Sequence, residues 1–165
     1  MSPRAAWRLE ALGFEHVADY GAGKVEWLAY GLPREGSKAD LPSAGELADP
    51  EPLTCGLHDS VGELAPALQR ARYGQCLVIN EQRIVLGRIR RSALDGVDEG
   101  ARAEAVMESG PSTVRPDVPA RELIERLAQK SLNTALLTTP NGCLVGVFDR
   151  RDAERALEGR AAGAA

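Results

Sequence analysis

Moved along by 59 residues, the chain overlays on itself without a gap. Thr54 falls on Thr113, Glu63 and Leu64 on Glu122 and Leu123, Val78 on Leu137, and Arg91 on Arg150. Val85, Leu86 and Gly87 fall on Leu144, Val145 and Gly146. The overlay runs from about 53–94 against 112–153. An ungapped match of that length implies two units with one fold.

Each unit opens on a short extended piece, LTCGL in the first and STVRP in the second. Helices are expected over 60–71 and 119–130. Ser60 and Glu63 have the spacing of a capping box, in which the two residues satisfy free N–H groups at a helix start. Pro119 suits a first helical turn, where its missing N–H costs nothing. Leu64, Leu68 and Ala71 form one apolar stripe, and Leu123, Leu127 and Ala128 the other. Two strands then make a hairpin: CLVIN and RIVLGRI around Glu81 and Gln82, then ALLTT and CLVGVF around Pro140, Asn141 and Gly142. A last helix closes each unit, at 91–94 continuing weakly toward Met107, and at 150–157. A three-stranded sheet with helices on one face leaves its other face bare. The two units are therefore expected to pack sheet against sheet in an α+β fold.

Only 4% of the residues are aromatic, so Leu, Val, Ile and Ala must build the core. The net charge of −4 argues against non-specific nucleic-acid binding. No apolar run approaches the roughly 18 residues of a membrane span. The first ten residues are polar and lack the apolar run of a signal peptide, so a cytoplasmic protein is expected. Cys55, Cys76 and Cys143 are odd in number and widely spaced, which is neither a disulfide framework nor a zinc motif. Cys76 and Cys143 read as small apolar residues in strands, and no catalytic residue or metal ligand is assigned.

The segment VMESGPSTVRPD, followed by ELIERL and by ALLTTPNGCLVGVFDRRDAERAL, resembles a cystathionine-beta-synthase (CBS) domain, and the repeated arrangement over about 51–158 resembles a paired CBS module. The resemblance implies an adenosyl-binding motif at the end of the last strand: Gly146, two apolar residues, Asp149, Arg150, Arg151 and Asp152. Glycine would let a ligand approach the backbone, and the Asp152 carboxylate would accept hydrogen bonds from a ribose diol. Thr113, Val114, Arg115 and Pro116, on the first strand of the same unit, would line the adenine pocket. The family's Ser or Thr is replaced by Asp149, which repels a phosphate; Arg150 and Arg151 offset this. In the first unit Ala93 stands where Asp152 stands in the second. That unit is expected to supply phosphate contacts from Arg88 and Arg90 without holding a ribose. AMP, ADP, ATP or S-adenosylmethionine are the ligands implied, no other cofactor is expected, and a homodimer follows from the resemblance.

The N-terminal stretch YGAGKVEWLAYGLP invites comparison with a phosphate loop. Val25 follows Gly23 and Lys24 where Ser or Thr is needed, and Glu26 stands where a dinucleotide fingerprint needs glycine, so both patterns fail. A helix over 5–12 closed by Gly13, a strand at 16–20, a turn at 21–23 and a helix at 24–30 capped by Gly31 are expected. Leu12, Gly13, Phe14, Val17, Gly23, Trp27, Gly31, Leu32 and Pro33 resemble the closing stretch of a rhodanese domain. The reactive cysteine of that family would fall before Met1.

The expected organisation is a rhodanese-like remnant at 1–33, a linker at 34–50, CBS motif 1 at 51–106, CBS motif 2 at 107–158 and a tail at 159–165. The functional expectation is a sensor that binds an adenosyl ligand without catalysis of its own. Its rivals are a ligand-free dimerisation scaffold and, given an upstream cysteine loop, a sulfurtransferase.

Overall fold

The computed structural model describes residues 2–18, 23–29, 32–33, 35–36 and 41–163. The first unit contains β1 (Thr54–Cys55), α3 (Val61–Arg70), β2 (Gln75–Ile79) and β3 (Val85–Arg90). The second contains β5 (Thr113–Val114), α5 (Ala120–Gln129), β6 (Thr134–Thr138), β7 (Leu144–Asp149) and α6 (Arg150–Gly163). Ahead of them lie α1 (Ser2–Ala11) and α2 (Gly23–Ala29); between them lie α4 (Ala103–Val106) and β4 (Glu108–Ser109). In both sheets the first strand runs parallel to the second and the second antiparallel to the third.

The helix starts form as the sequence implies. Ser60 Oγ accepts from the Glu63 N–H at 3.3 Å, and the Glu63 carboxylate accepts from the Ser60 N–H at 3.4 Å. Pro119 is the residue that precedes α5 rather than its first helical one. The Ala120 N–H donates instead to the Pro42 carbonyl at 3.0 Å.

Alternate residues of β2 and β6 divide the core into three. Leu64 and Leu68 pack on Cys76, Val78 and Ile89. Leu123 and Leu127 pack on Leu137 and Phe148. Leu77, Leu136, Leu144 and Val147 meet between the sheets. The central strands are thus buried on both faces, which is why they read as unbroken apolar runs.

The two units are related by a pseudo-twofold axis. Ile84 pairs with Cys143, its own equivalent one period later. The Val85 N–H donates to Gly142 O at 3.0 Å, and the Leu144 N–H to Arg83 O at 2.8 Å. Arg83 and Gly142 are also equivalents and both adopt the left-handed backbone, at φ 59° and 83°.

The symmetry extends further upstream than the sequence overlay suggests. Residues 41–50, expected as part of a linker, are built into the fold. Ser43 and Ala44 are fully buried, at 2% and 0% exposure. Asp49 exchanges two backbone hydrogen bonds of 2.9 Å with Val147, at the open edge of β7. One period later, Glu108 pairs with Arg88 at the edge of β3. Each unit's leading segment therefore completes the other unit's sheet. Residues 34 and 37–40 of the expected linker lie outside the described residues.

Three further expectations are corrected. The closing helix of the first unit is a single 3-10 turn, Arg91–Leu94, ended by Gly96 at φ +75°. The chain then re-forms a helix only at α4. Residues 16–18 are not a strand, while residues 19–22, 30 and 31 of the expected strand, turn and helix cap lie outside the described residues. The last helix runs on to Gly163, into the expected tail. α2 lies against the 3-10 turn Gly45–Leu47, and Trp27 Nε1 donates to Pro33 O at 2.7 Å.

Candidate functional site

A cleft of about 1120 Å³ opens between the units. Its position follows from the strand order. β4 pairs with β3 in the first sheet, and the chain then crosses to β5 in the second. Ser112, Thr113 and Val114 are thereby delivered beside the end of β3. The cleft is lined by Thr113 and Val114 together with Arg88, Arg90, Arg91 and Ser92, and its apolar surfaces include Leu77 and Leu136.

The residues singled out in the sequence are therefore divided. Thr113, Val114, Arg88 and Arg90 come together in the cleft. Gly146, Asp149, Arg150, Arg151 and Asp152 do not line it. In this cleft Thr113 and Val114 stand with Arg88 and Arg90 of the first unit and not with the start of α6. Gly146 faces no open space. A Cβ there would sit 2.4 Å from Asp49 O, so the close approach that glycine permits is taken by the chain itself. Arg115 reaches the carbonyls of Thr138, at 3.2 Å, and Thr139. Pro116 is buried beneath Gly45. Both hold structure rather than line the cleft.

At the second unit's strand end the polar groups are engaged with one another. Asp149 Oδ1 accepts from the Arg151 and Asp152 N–H groups at 3.0 and 3.1 Å, capping α6. Arg150 spans Asn133 and Glu154, at 3.3 and 3.0 Å. Asp152 is held by Arg72 of the first unit and by Arg155 at 2.6 Å. The Arg72 guanidinium lies 5.4 Å from the Tyr73 ring centre, and the Tyr73 hydroxyl donates to Asp49 at 3.0 Å. Burial, then the hydrogen bond to Asp49, pushes the Tyr73 phenol up to about 12.

The cleft has a different electrostatic character. Arg88 holds Glu108 by two hydrogen bonds of 2.9 and 3.0 Å, and Arg90 reaches it at 3.5 Å. The Arg88 hydrogen bond keeps the Glu108 carboxyl below its ordinary range. Arg91 donates to Leu68 O and Ala71 O at 3.3 Å, closing the end of α3. Arg126, Lys130 and Asp95 also line the cleft, and sequence reasoning missed all three. The four-residue spacing of Arg126 and Lys130 places them on one helix face, but nothing in the sequence places that face opposite Arg88. Asp95 lies two residues beyond Ala93 and returns a carboxylate to the first unit's strand end.

Residues 103–159 match the family model of the CBS domain. The solved CBS domain pair of protein MJ0100, in complex with 5′-methylthioadenosine and S-adenosyl-L-methionine, superposes with a TM-score of 0.57. That match covers 73% of this chain and 98% of that one at 16% identity. The chain has the fold of a CBS domain pair. CBSX2 in complex with AMP superposes on 72% of this chain and 97% of its own, with a TM-score of 0.62 and 17% identity. The chain is also 30% identical over 105 residues to a GMP reductase of Mycobacterium tuberculosis. That match covers 64% of this chain, and the chain spans only 22% of the length of that relative. No helix among the described residues is long and apolar enough to cross a membrane.

Proposed function

We propose that this CBS pair is a regulatory module that binds an adenosyl nucleotide in the cleft at Thr113 and Val114 and performs no catalysis of its own. One observation carries the reading: the cleft is lined by both units and sets apolar walls, from Val114, Leu77 and Leu136, against a cationic rim. The apolar walls suit an adenine ring, and Asp95 is the carboxylate available for a ribose hydroxyl. The AMP held by CBSX2 and the adenosyl compounds held by the MJ0100 pair support this class of ligand. A ligand that touches both units favours the arrangement it fits, by no more than its differential affinity for that arrangement.

A homodimer in the cytoplasm remains part of the proposal. In this reading the contact lies at the face where Ile124 of α5 and Leu157 of α6 are half-buried. The resemblance of residues 1–33 to the end of a rhodanese domain adds no chemistry to this reading.

Thermal unfolding with millimolar AMP, ADP, ATP or S-adenosylmethionine tests it. A rise in Tm with at least one of them is expected. No change with any of the four would leave a ligand-free scaffold as the better account.

A further inference from the structure

The pseudo-twofold axis supplies an internal control. Every lining position of the cleft has an equivalent one period away, on the same fold and at the same place relative to the other unit. On β3 the cleft carries Arg88 and Arg90, where the equivalents are Val147 and Asp149. On α5 it carries Arg126 and Lys130, where the equivalents are Ala67 and Ala71. At these four positions the cleft carries cations and the other side of the axis none, while Arg150 and Arg151 stand there as the equivalents of the lining residues Arg91 and Ser92. The fold does not require the four, because the symmetric half does without.

The charges are only partly neutralised locally: Asp95 is the carboxylate among the cleft's lining residues. Glu108 serves Arg88 and, more distantly, Arg90. Arg91 spends its donors on two carbonyls. Arg126 and Lys130 have no ion pair or hydrogen bond among the described residues, and as a like-charge pair one turn apart they repel each other. This is gathered positive charge in a chain whose net charge is −4.

We infer that the cleft takes a polyphosphate anion, in the form of a nucleoside di- or triphosphate, with Arg90 of the first unit and Arg126 and Lys130 of the second meeting the phosphate chain. This rests on the reading that the cleft is the nucleotide site. Arginine binds phosphate through paired donors, and lysine as a point charge. A terminal phosphate of about −1.5 to −2 leaves part of the charge of these three cations uncompensated; a chain of two or three phosphates covers it and can reach both β3 and α5.

Isothermal titration of the full chain without divalent metal tests this with ATP, AMP, adenosine and tripolyphosphate. ATP is expected to bind at least about tenfold tighter than AMP, with an affinity that falls as KCl is raised. In the double variant Arg126→Ala, Lys130→Ala, whose changes suit a helix, ATP affinity should drop to that of AMP while adenosine binding holds. Circular dichroism confirms that the helix persists. If AMP and adenosine bind wild type as tightly as ATP, or the double variant keeps the ATP preference, the inference fails and the adenosyl reading stands. If tripolyphosphate binds and no adenosyl compound does, the anion inference stands and the adenosyl reading fails. Absence of binding by all four overturns both.

Discussion

Arg72, in the loop after α3 of the first unit, holds the carboxylate of Asp152 at the start of α6 in the second. Asp152 is the residue that most looks like a ribose anchor in the sequence. In the fold it joins the two units, shared between Arg72 and Arg155.

Asp152→Ala should therefore cost stability and leave the ligand alone. Arg72 is 59% exposed and Asp152 28%, so solvent screening limits the loss to about 1 kcal/mol. Urea unfolding measures the cost, and thermal shifts with nucleotide should be those of wild type. A lost ligand response would return the site to Asp152.

Gly146→Ala should be costly for a reason unrelated to ligand. The added methyl meets Asp49 O at 2.4 Å, in a backbone bridge that cannot yield without breaking. A penalty of about 1–3 kcal/mol in urea is expected, as for overpacking elsewhere. The equivalent Gly87→Ala meets Met107 Sδ first, at 2.5 Å, and a methionine end can swing aside. Gly87→Ala should be the milder of the two.

Tyr73 gives the pair a signature in alkali. Its phenol is raised to about 12 in the fold, from an ordinary value of 10, so the folded state keeps a proton that the unfolded state loses first. The stabilisation is fully present below pH 10 and is lost as pH rises through about 12. Tyr73→Phe should abolish that part of the decline. The difference in phenolate absorbance between wild type and variant should show a group titrating near 12.

Glu108→Gln separates the cleft's charge from its shape. Arg88 and Arg90 lose their carboxylate and become free for a bound anion. ATP affinity should rise by about threefold to tenfold at low salt and less at high salt. In wild type the carboxylate is held low by Arg88. Its small stabilising contribution is present above the ordinary glutamate value of 4.5 and fades as pH falls through the folded value. Glu108→Gln should flatten that acid limb.

The repeat made the fold legible because burial follows period: Leu64 and Leu68 recur as Leu123 and Leu127, and the strand runs CLVI and ALLT recur with them. Residues 41–50 were hidden because their burial has no local pattern. They are held by hydrogen bonds to distant partners, Ala44 to Val118 and Asp49 to Val147, while their Gly, Pro and Ser content reads as loop. The overlay of Asp49 on Glu108 and of Pro52 on Pro111 was the available signal. The cleft was half legible. Thr113, Val114, Arg88 and Arg90 do meet, but a repeat gives no information about which strand end faces which unit. That depends on β4 pairing with β3 before the chain crosses over.

Stoichiometry with a filled cleft tests the central claim most directly. Thr113 is exposed at the cleft, so Thr113→Trp fills it without entering a core. Titration with ATP should give one site per chain in wild type and in Asp152→Ala, and none in Thr113→Trp that unfolds like wild type. Binding retained by Thr113→Trp and lost by Asp152→Ala would contradict the account.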